Sequence, residues 1–243
     1  MMIKNNKYNN FYYFLKLILK SFFYKVFNTI MDKELNKNTN TNQLNINELQ
    51  FEYIINQLIP IIQKRIKEFH KLFSLPLIAE YWEETLSNSF KEIGLENDWK
   101  PGRSHKIGED MKLIDIENSR ISCKSGIISD NRELKKECVK WSGSRTTSFE
   151  TLSEKLEHLS LSHDDWYFLL AKASKFNKKY KLLVFPSYIC KPNKLIWNDT
   201  KSGKQWHGKG EFLAEISKSM SAQLWTTFPL DKIPYIYEID CTK

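Results

Sequence analysis

A mixed α/β domain is what the order of segments predicts: two amphipathic helices, short strands, one more helix, then strands again. Three observations carry this. Residues 51–73 place Tyr53, Ile54, Leu58, Ile61, Ile62, Ile66, Phe69 and Phe73 at helical recurrence. Beyond residue 110 the apolar spacing shortens to that of strands. Residues 180–185, with Pro186 behind them, form a short apolar run of the kind that fills a buried strand.

The elements follow in order. Pro60 falls within the first helix and is expected to kink or interrupt it. Residues 75–93 predict a second helix with Ile78, Trp82, Leu86, Phe90 and Ile93 along one stripe, and Gly94 is the expected C-cap. Residues 111–116 and 120–124 read as strands joined by the turn Glu117-Asn118-Ser119. Residues 149–161 read as a helix, 166–171 and 181–185 as strands, 211–219 as a helix and 235–239 as a final strand. No internal repeat is evident.

The 243 residues suffice for one well-packed domain, and 41% hydrophobic with 14% aromatic content suits a globular core. Net charge is +8, but residues 1–30 hold five lysines and no acid, so the remainder carries only +3. That balance is compatible with a polyanion or a membrane surface and selects neither. Residues 1–30 contain two apolar runs cut by Lys16, Lys20 and Lys25, which argues against a membrane span. An amphipathic surface helix, an accessory helix, or a leader before a working start at Met31 are the readings, with the last two preferred. Residues 31–50 are Asn- and Thr-rich and read as a flexible linker. A single domain is expected over 51–243, helical to 94 and carrying the chemistry from 95. Four widely spaced cysteines without a C-x-x-C pair fit reduced cytoplasmic thiols better than zinc ligands or disulfides.

Two segments carry chemistry: Ser104-His105-Lys106-Ile107-Gly108-Glu109-Asp110 and Ile121-Ser122-Cys123-Lys124-Ser125-Gly126. An acid before one strand and a lysine inside its hairpin partner bring a carboxylate and an ammonium to one sheet edge. A carboxylate can hold a hard cation such as Mg²⁺. The ion acidifies a bound water and neutralises charge on a phosphorane, while a lysine orients the water or steadies the phosphate.

This pairing resembles the PD-(D/E)xK nuclease core, and S-H-x-x-G-x-D followed by S-x-K-S resembles a group of type II restriction endonucleases. The resemblance spans roughly residue 75 to the C-terminus as an order of elements, with only the short motifs specific. It implies a restriction-endonuclease-like core, a central mixed β-sheet flanked by helices and preceded by a helical region. It implies Mg²⁺-dependent, sequence-specific hydrolysis of double-stranded DNA, with Asp110 as metal-binding acid and Lys124 as catalytic lysine. Ser122 stands where a second acid is usual, and the Cys123 carbonyl occupies the position of a backbone ligand. An upstream glutamate would supply the missing charge. Helical projection puts Glu83 nearest the edge of the buried stripe, ahead of Glu80 and Glu84. Glu109 reads as a neighbour and not a ligand.

His105 is a candidate phosphate contact. In Trp141-Ser142-Gly143-Ser144-Arg145-Thr146-Thr147 the residues Ser144, Arg145 and Thr146 are candidate DNA contacts, resembling the S-x-R-x-T stretch of the same enzymes. Thr147 or Ser148 could instead cap the helix that follows. Residues 198–210 read as a solvated hairpin tip. A palindromic target would favour a homodimer, and the class implies a partner methyltransferase. Neither a small-molecule cofactor nor a membrane partner is expected. The alternatives are a repair or junction-processing nuclease of the same superfamily, and a DNA-binding protein of this fold without activity.

Overall fold

Helical periodicity and its caps set the first layer of the fold. The computed structural model describes residues 46–101, 110–114, 119–161, 165–172, 178–219 and 222–241, with side chains from Tyr53 onward. The chain divides into two units, Met1–Leu49 and Gln50–Lys243, and the account below concerns the second. The expected leader and most of the expected linker lie outside the described residues. The linker's last five residues are helical, however: α1 runs Ile46–Leu72 and includes Pro60 without ending there.

The helix α2 (Ala79–Glu92) buries Trp82, Leu86 and Phe90. Gly94 takes φ 81°, and its N–H bonds the Lys91 carbonyl while the Leu95 N–H reaches Phe90. That is a Schellman closure, which needs a residue free to adopt a left-handed conformation. The expected cap is therefore observed.

The remaining elements are β1 (Met111–Lys112), β2 (Arg120–Asn131), β3 (Lys136–Arg145), α3 (Leu152–Ser160), β4 (Trp166–Lys172), β5 (Lys179–Pro186), β6 (Ile196–Asp199), β7 (Gln205–Lys209), β8 (Leu213–Ser217), β9 (Gln223–Pro229) and β10 (Tyr235–Asp240). They build one ten-stranded sheet in the order β10-β5-β4-β2-β3-β9-β8-β7-β6, with β1 paired to β2. Only β2 and β4 run parallel; the other pairs are antiparallel. A chain leaving β3 must cross β2 to reach the far side, and α3 makes that crossing. The architecture is thus mixed α/β, with a large, mostly antiparallel sheet and few helices.

Three expectations are corrected. Residues 211–219 are not a helix; they contain β8, with Ala214 and Ile216 buried on alternate positions. Residues 141–145, read as a loop, are the end of β3. The helix expected over 149–161 begins at Leu152, and its cap is Thr151, not Thr147 or Ser148. Thr151 and Glu154 form a reciprocal capping box. The hairpin expected over 198–210 is present as β6 and β7.

The sheet has a core on each face. Ile121, Cys123, Phe168, Leu170, Leu182 and Val184 pack with α1 and α2. Leu169, Ala171, Leu183, Phe185, Val139 and Trp141 pack on the other side with Leu159 of α3. Since β4 and β5 are buried on both faces, they read as unbroken apolar runs.

His70 is buried within the helical layer. The Phe73 carbonyl can only accept, so His70 Nδ1 donates to it at 3.2 Å. That leaves Nε2 to accept from the Tyr180 hydroxyl at 2.8 Å, whose oxygen takes the Leu77 N–H. Burial, with a smaller contribution from Lys178, holds His70 below its usual value against the opposing Phe73 bond. The neutral ring is the folded form, so its contribution is full above the unfolded value of about 6.5. It is lost as pH falls through the lower folded value. Urea midpoints should therefore fall between about pH 7 and pH 5, more steeply in the wild type than in His70→Gln. Parallel slopes for the two proteins would contradict this.

Candidate functional site

Strand polarity brings the acid and the lysine together. The β1–β2 pairing sets Met111 opposite Ile121, and the Asp110 N–H, one residue before β1, bonds the Ile121 carbonyl at 3.0 Å. Alternation then puts Ser122 and Lys124 on one face of β2 and Ile121 and Cys123 on the other. Met111 is buried with Ile121 among the helices, so Asp110 turns to the face of Ser122 and Lys124.

The Asp110 carboxylate is enclosed by donors. Its Oδ2 accepts from the Cys123 N–H at 2.6 Å, Lys124 Nζ at 3.0 Å and the Ser122 hydroxyl at 3.2 Å. The Asp110 side chain is 8% exposed and that of Lys124 22%, so this ion pair is partly withdrawn from solvent. Ser122 is fully buried. Its hydroxyl is a hydrogen-bond donor to Asp110. Within a strand the N–H and C=O of a residue point the same way, so the Cys123 carbonyl is directed to the edge that Asp110 occupies. Its thiol points into the helical core.

Two further features fix the edge. At Gly126, β2 takes up β3, and a Cβ there would meet Leu169 and Val139 at 2.8 Å. Arg120 grips Asp165 through Nε at 3.0 Å and Nη2 at 3.1 Å. The same carboxylate takes the Arg120 N–H, fastening β4 to β2 two residues before Ser122.

Glu83 lies on α2, where Oε2 accepts the Trp99 indole N–H at 3.5 Å. Trp99 follows Asp98, whose carboxylate takes the Lys112 N–H at 2.8 Å and whose N–H bonds the Lys112 carbonyl. Asn97 bridges Leu113. Glu83 is thus tied to the segment flanking β1, and Asp110 directly precedes β1. Glu80 and Glu84 are exposed.

The DNA-contact candidates separate. Arg145 is exposed at the end of β3, and Ser144 is half-buried beside it. Thr146, by contrast, is fully buried, and its hydroxyl donates to the Ala222 carbonyl at 2.7 Å, so it braces the chain. His105 and Glu109 lie outside the described residues, as do Glu117 and Asn118 of the expected turn.

Sequence reasoning missed Lys155. It is buried, donates to the Thr146 carbonyl at 2.7 Å and to that of Phe149, and lies 5.8 Å from the Trp206 ring centre. It holds the segment that leaves β3 after Arg145. A lone lysine in an amphipathic helix gives no sequence signal of this.

Among the described residues, no group of three or more His, Cys, Asp or Glu side chains converges. The Asp110 carboxylate and the Cys123 carbonyl are hard oxygen donors that suit Mg²⁺. An ion held by a single carboxylate takes its other positions from water and phosphate. No described helix is long and apolar enough to cross a membrane. Comparison with protein-family models, curated proteins and solved structures gives no match to this chain.

Proposed function

We propose that this protein is a Mg²⁺-dependent DNA endonuclease of the PD-(D/E)xK type, with site-specific type II restriction cleavage as its specific form. The observation that carries the reading is the Asp110 carboxylate bonded by Lys124 across the β1–β2 edge. The order of α2, the acid just before β1, the lysine-bearing β2, then β3, α3 and the parallel strand β4 supports a restriction-endonuclease-like core. When bound, Mg²⁺ would supply an acidified water and neutralise phosphorane charge. Asp110 and the Cys123 carbonyl would hold the ion, with its remaining positions taken by water and phosphate. Lys124 would steady the attacked phosphate, and the Ser122 hydroxyl would keep Asp110 in place.

Arg145, exposed on the same strand end as Ser144, would contact DNA. Arg145→Ala should weaken binding of a cleavable duplex about tenfold without moving the thermal midpoint. Unchanged affinity in a fluorescence titration would remove it from the interface. A homodimer and a partner methyltransferase accompany the restriction form. Four buried free thiols suit a cytoplasmic setting.

Ser122 in the place of an acid favours one second reading, a DNA-binding protein of this fold without cleavage. Plasmid digestion with Mg²⁺, followed by sequencing of fragment ends, separates the cases. Discrete fragments with common ends support restriction, and scattered ends support a repair or junction nuclease. Uncut DNA with binding retained overturns the enzyme reading.

A further inference from the structure

The Asp110 carboxylate brings one negative charge, and the Lys124 ammonium 3.0 Å away cancels it. Ser122, buried beside them, adds a hydroxyl and no charge, and donates that hydroxyl to Oδ2. The Cys123 N–H donates to the same oxygen. With three donors on Oδ2, a cation could meet this carboxylate only through Oδ1 without displacing one of them. The Cys123 carbonyl offers a dipole and no charge. The Glu83 carboxylate accepts the Trp99 indole N–H on α2. Among the described residues, no three acid, His or Cys side chains gather to hold an ion.

The electrostatics of such a site are unfavourable to a divalent ion by itself. Its attraction to the carboxylate is largely offset by repulsion from an ammonium almost as close, and Mg²⁺ gives up its water reluctantly. Asp110 and Lys124 are both mostly withdrawn from solvent, so salt screens neither charge well. A DNA phosphodiester reverses the balance. It adds a full negative charge and two hard oxygens, and it draws the Lys124 ammonium to itself, away from opposing the ion.

We propose that this site acquires its cation only together with DNA, the attacked phosphate being the second anionic ligand that Ser122 does not supply. The inference rests on the nuclease reading for the identity of the partner. By linkage, the ion tightens DNA binding by the same factor by which DNA tightens the ion. An acid placed at position 122 should free the ion from that dependence.

Calorimetric titration of the full chain with Ca²⁺, which takes the same kinds of oxygen ligand, tests the first half. Free wild type should show no uptake tighter than about 1 mM, the weak end of protein sites. Ser122→Asp should bind Ca²⁺ about tenfold or more tightly than the wild type, and Ca²⁺ should raise its melting temperature alone. Filter binding of linear plasmid DNA at fixed ionic strength tests the second half. Wild-type affinity should rise about tenfold or more from EDTA to Ca²⁺, and Asp110→Asn should abolish the rise. DNA affinity indifferent to Ca²⁺ in the wild type overturns the proposal. So does tight Ca²⁺ uptake by the free wild type that Glu83→Gln removes, which would make Glu83 the missing acid. Neither readout needs cleavage. Plasmid left uncut in Mg²⁺ while Ca²⁺ tightens binding sinks the nuclease reading and supports the coupling; cutting without that tightening does the reverse.

Discussion

Asp110→Asn should lower Mg²⁺-dependent plasmid cleavage about a thousandfold or more, the scale of losing a charge aimed at the reacting centre. The amide keeps the shape of the side chain and an oxygen for the Cys123 N–H. It removes the negative charge that faces Lys124 and that would hold the ion. Lys124→Met should cost a similar factor, because it removes the ammonium that bonds Asp110 and would steady the phosphate. The two side chains form one bonded unit, so their losses should not multiply: the double variant should be about as inactive as either single one. Single-turnover cleavage under one set of conditions measures all three. Activity of Asp110→Asn within about tenfold of wild type would sink the site assignment. Losses that multiply would show that the acid and the lysine act separately.

The second large effect falls on the layer behind the site. Trp82 is fully buried, and its indole N–H donates to the Phe168 carbonyl at 3.1 Å. Phe168 is the β4 residue opposite Cys123, so this bond fastens α2 to the strand pair that carries the lysine. Trp82→Ala should cost about 3–5 kcal/mol for the cavity and about 1–3 kcal/mol for the orphaned carbonyl. Those sums approach the whole stability of an ordinary domain, about 5–15 kcal/mol. Trp82→Phe restores most of the volume and should retain all but about 1–2 kcal/mol. Urea unfolding followed by circular dichroism separates the two terms. An Ala variant within about 1 kcal/mol of wild type would show that α2 is not held through this residue.

The helices were legible because their signal is local. Trp82, Leu86 and Phe90 recur at the helical period and are all buried, and Gly94 closes α2 where its left-handed conformation is required. Thr151-Leu152-Ser153-Glu154 also carried a local signal, the capping box, which locates the start of α3 better than apolar periodicity does. The apolar runs of β4 and β5 were legible for a different reason: burial on both faces leaves no polar alternation. The strands β3, β8 and β9 were not. For β3 and β9 part of the ladder comes from a partner far away in the chain, as Lys140 against Thr227 illustrates, whereas β8 is held between its chain neighbours β7 and β9. A stretch such as Trp141-Ser142-Gly143-Ser144 has the composition of a loop until neighbours complete its ladder.

For the site, the sequence by itself determined the residue types and their order: an acid just before one strand, then Ser-x-Lys within the next. Period-two alternation already placed Ser122 and Lys124 on one face. Only the tertiary structure decided what those groups do to one another. It set three donors on one oxygen of Asp110, turned the Ser122 hydroxyl into a support for that acid, and tied Glu83 to the segment flanking β1. It also withdrew Thr146 from solvent while leaving Arg145 exposed beside it. The physical reason is the same throughout. Alternation along a strand is written in the chain, whereas the edge a strand presents and the burial of a hydroxyl depend on which distant segments pack against it.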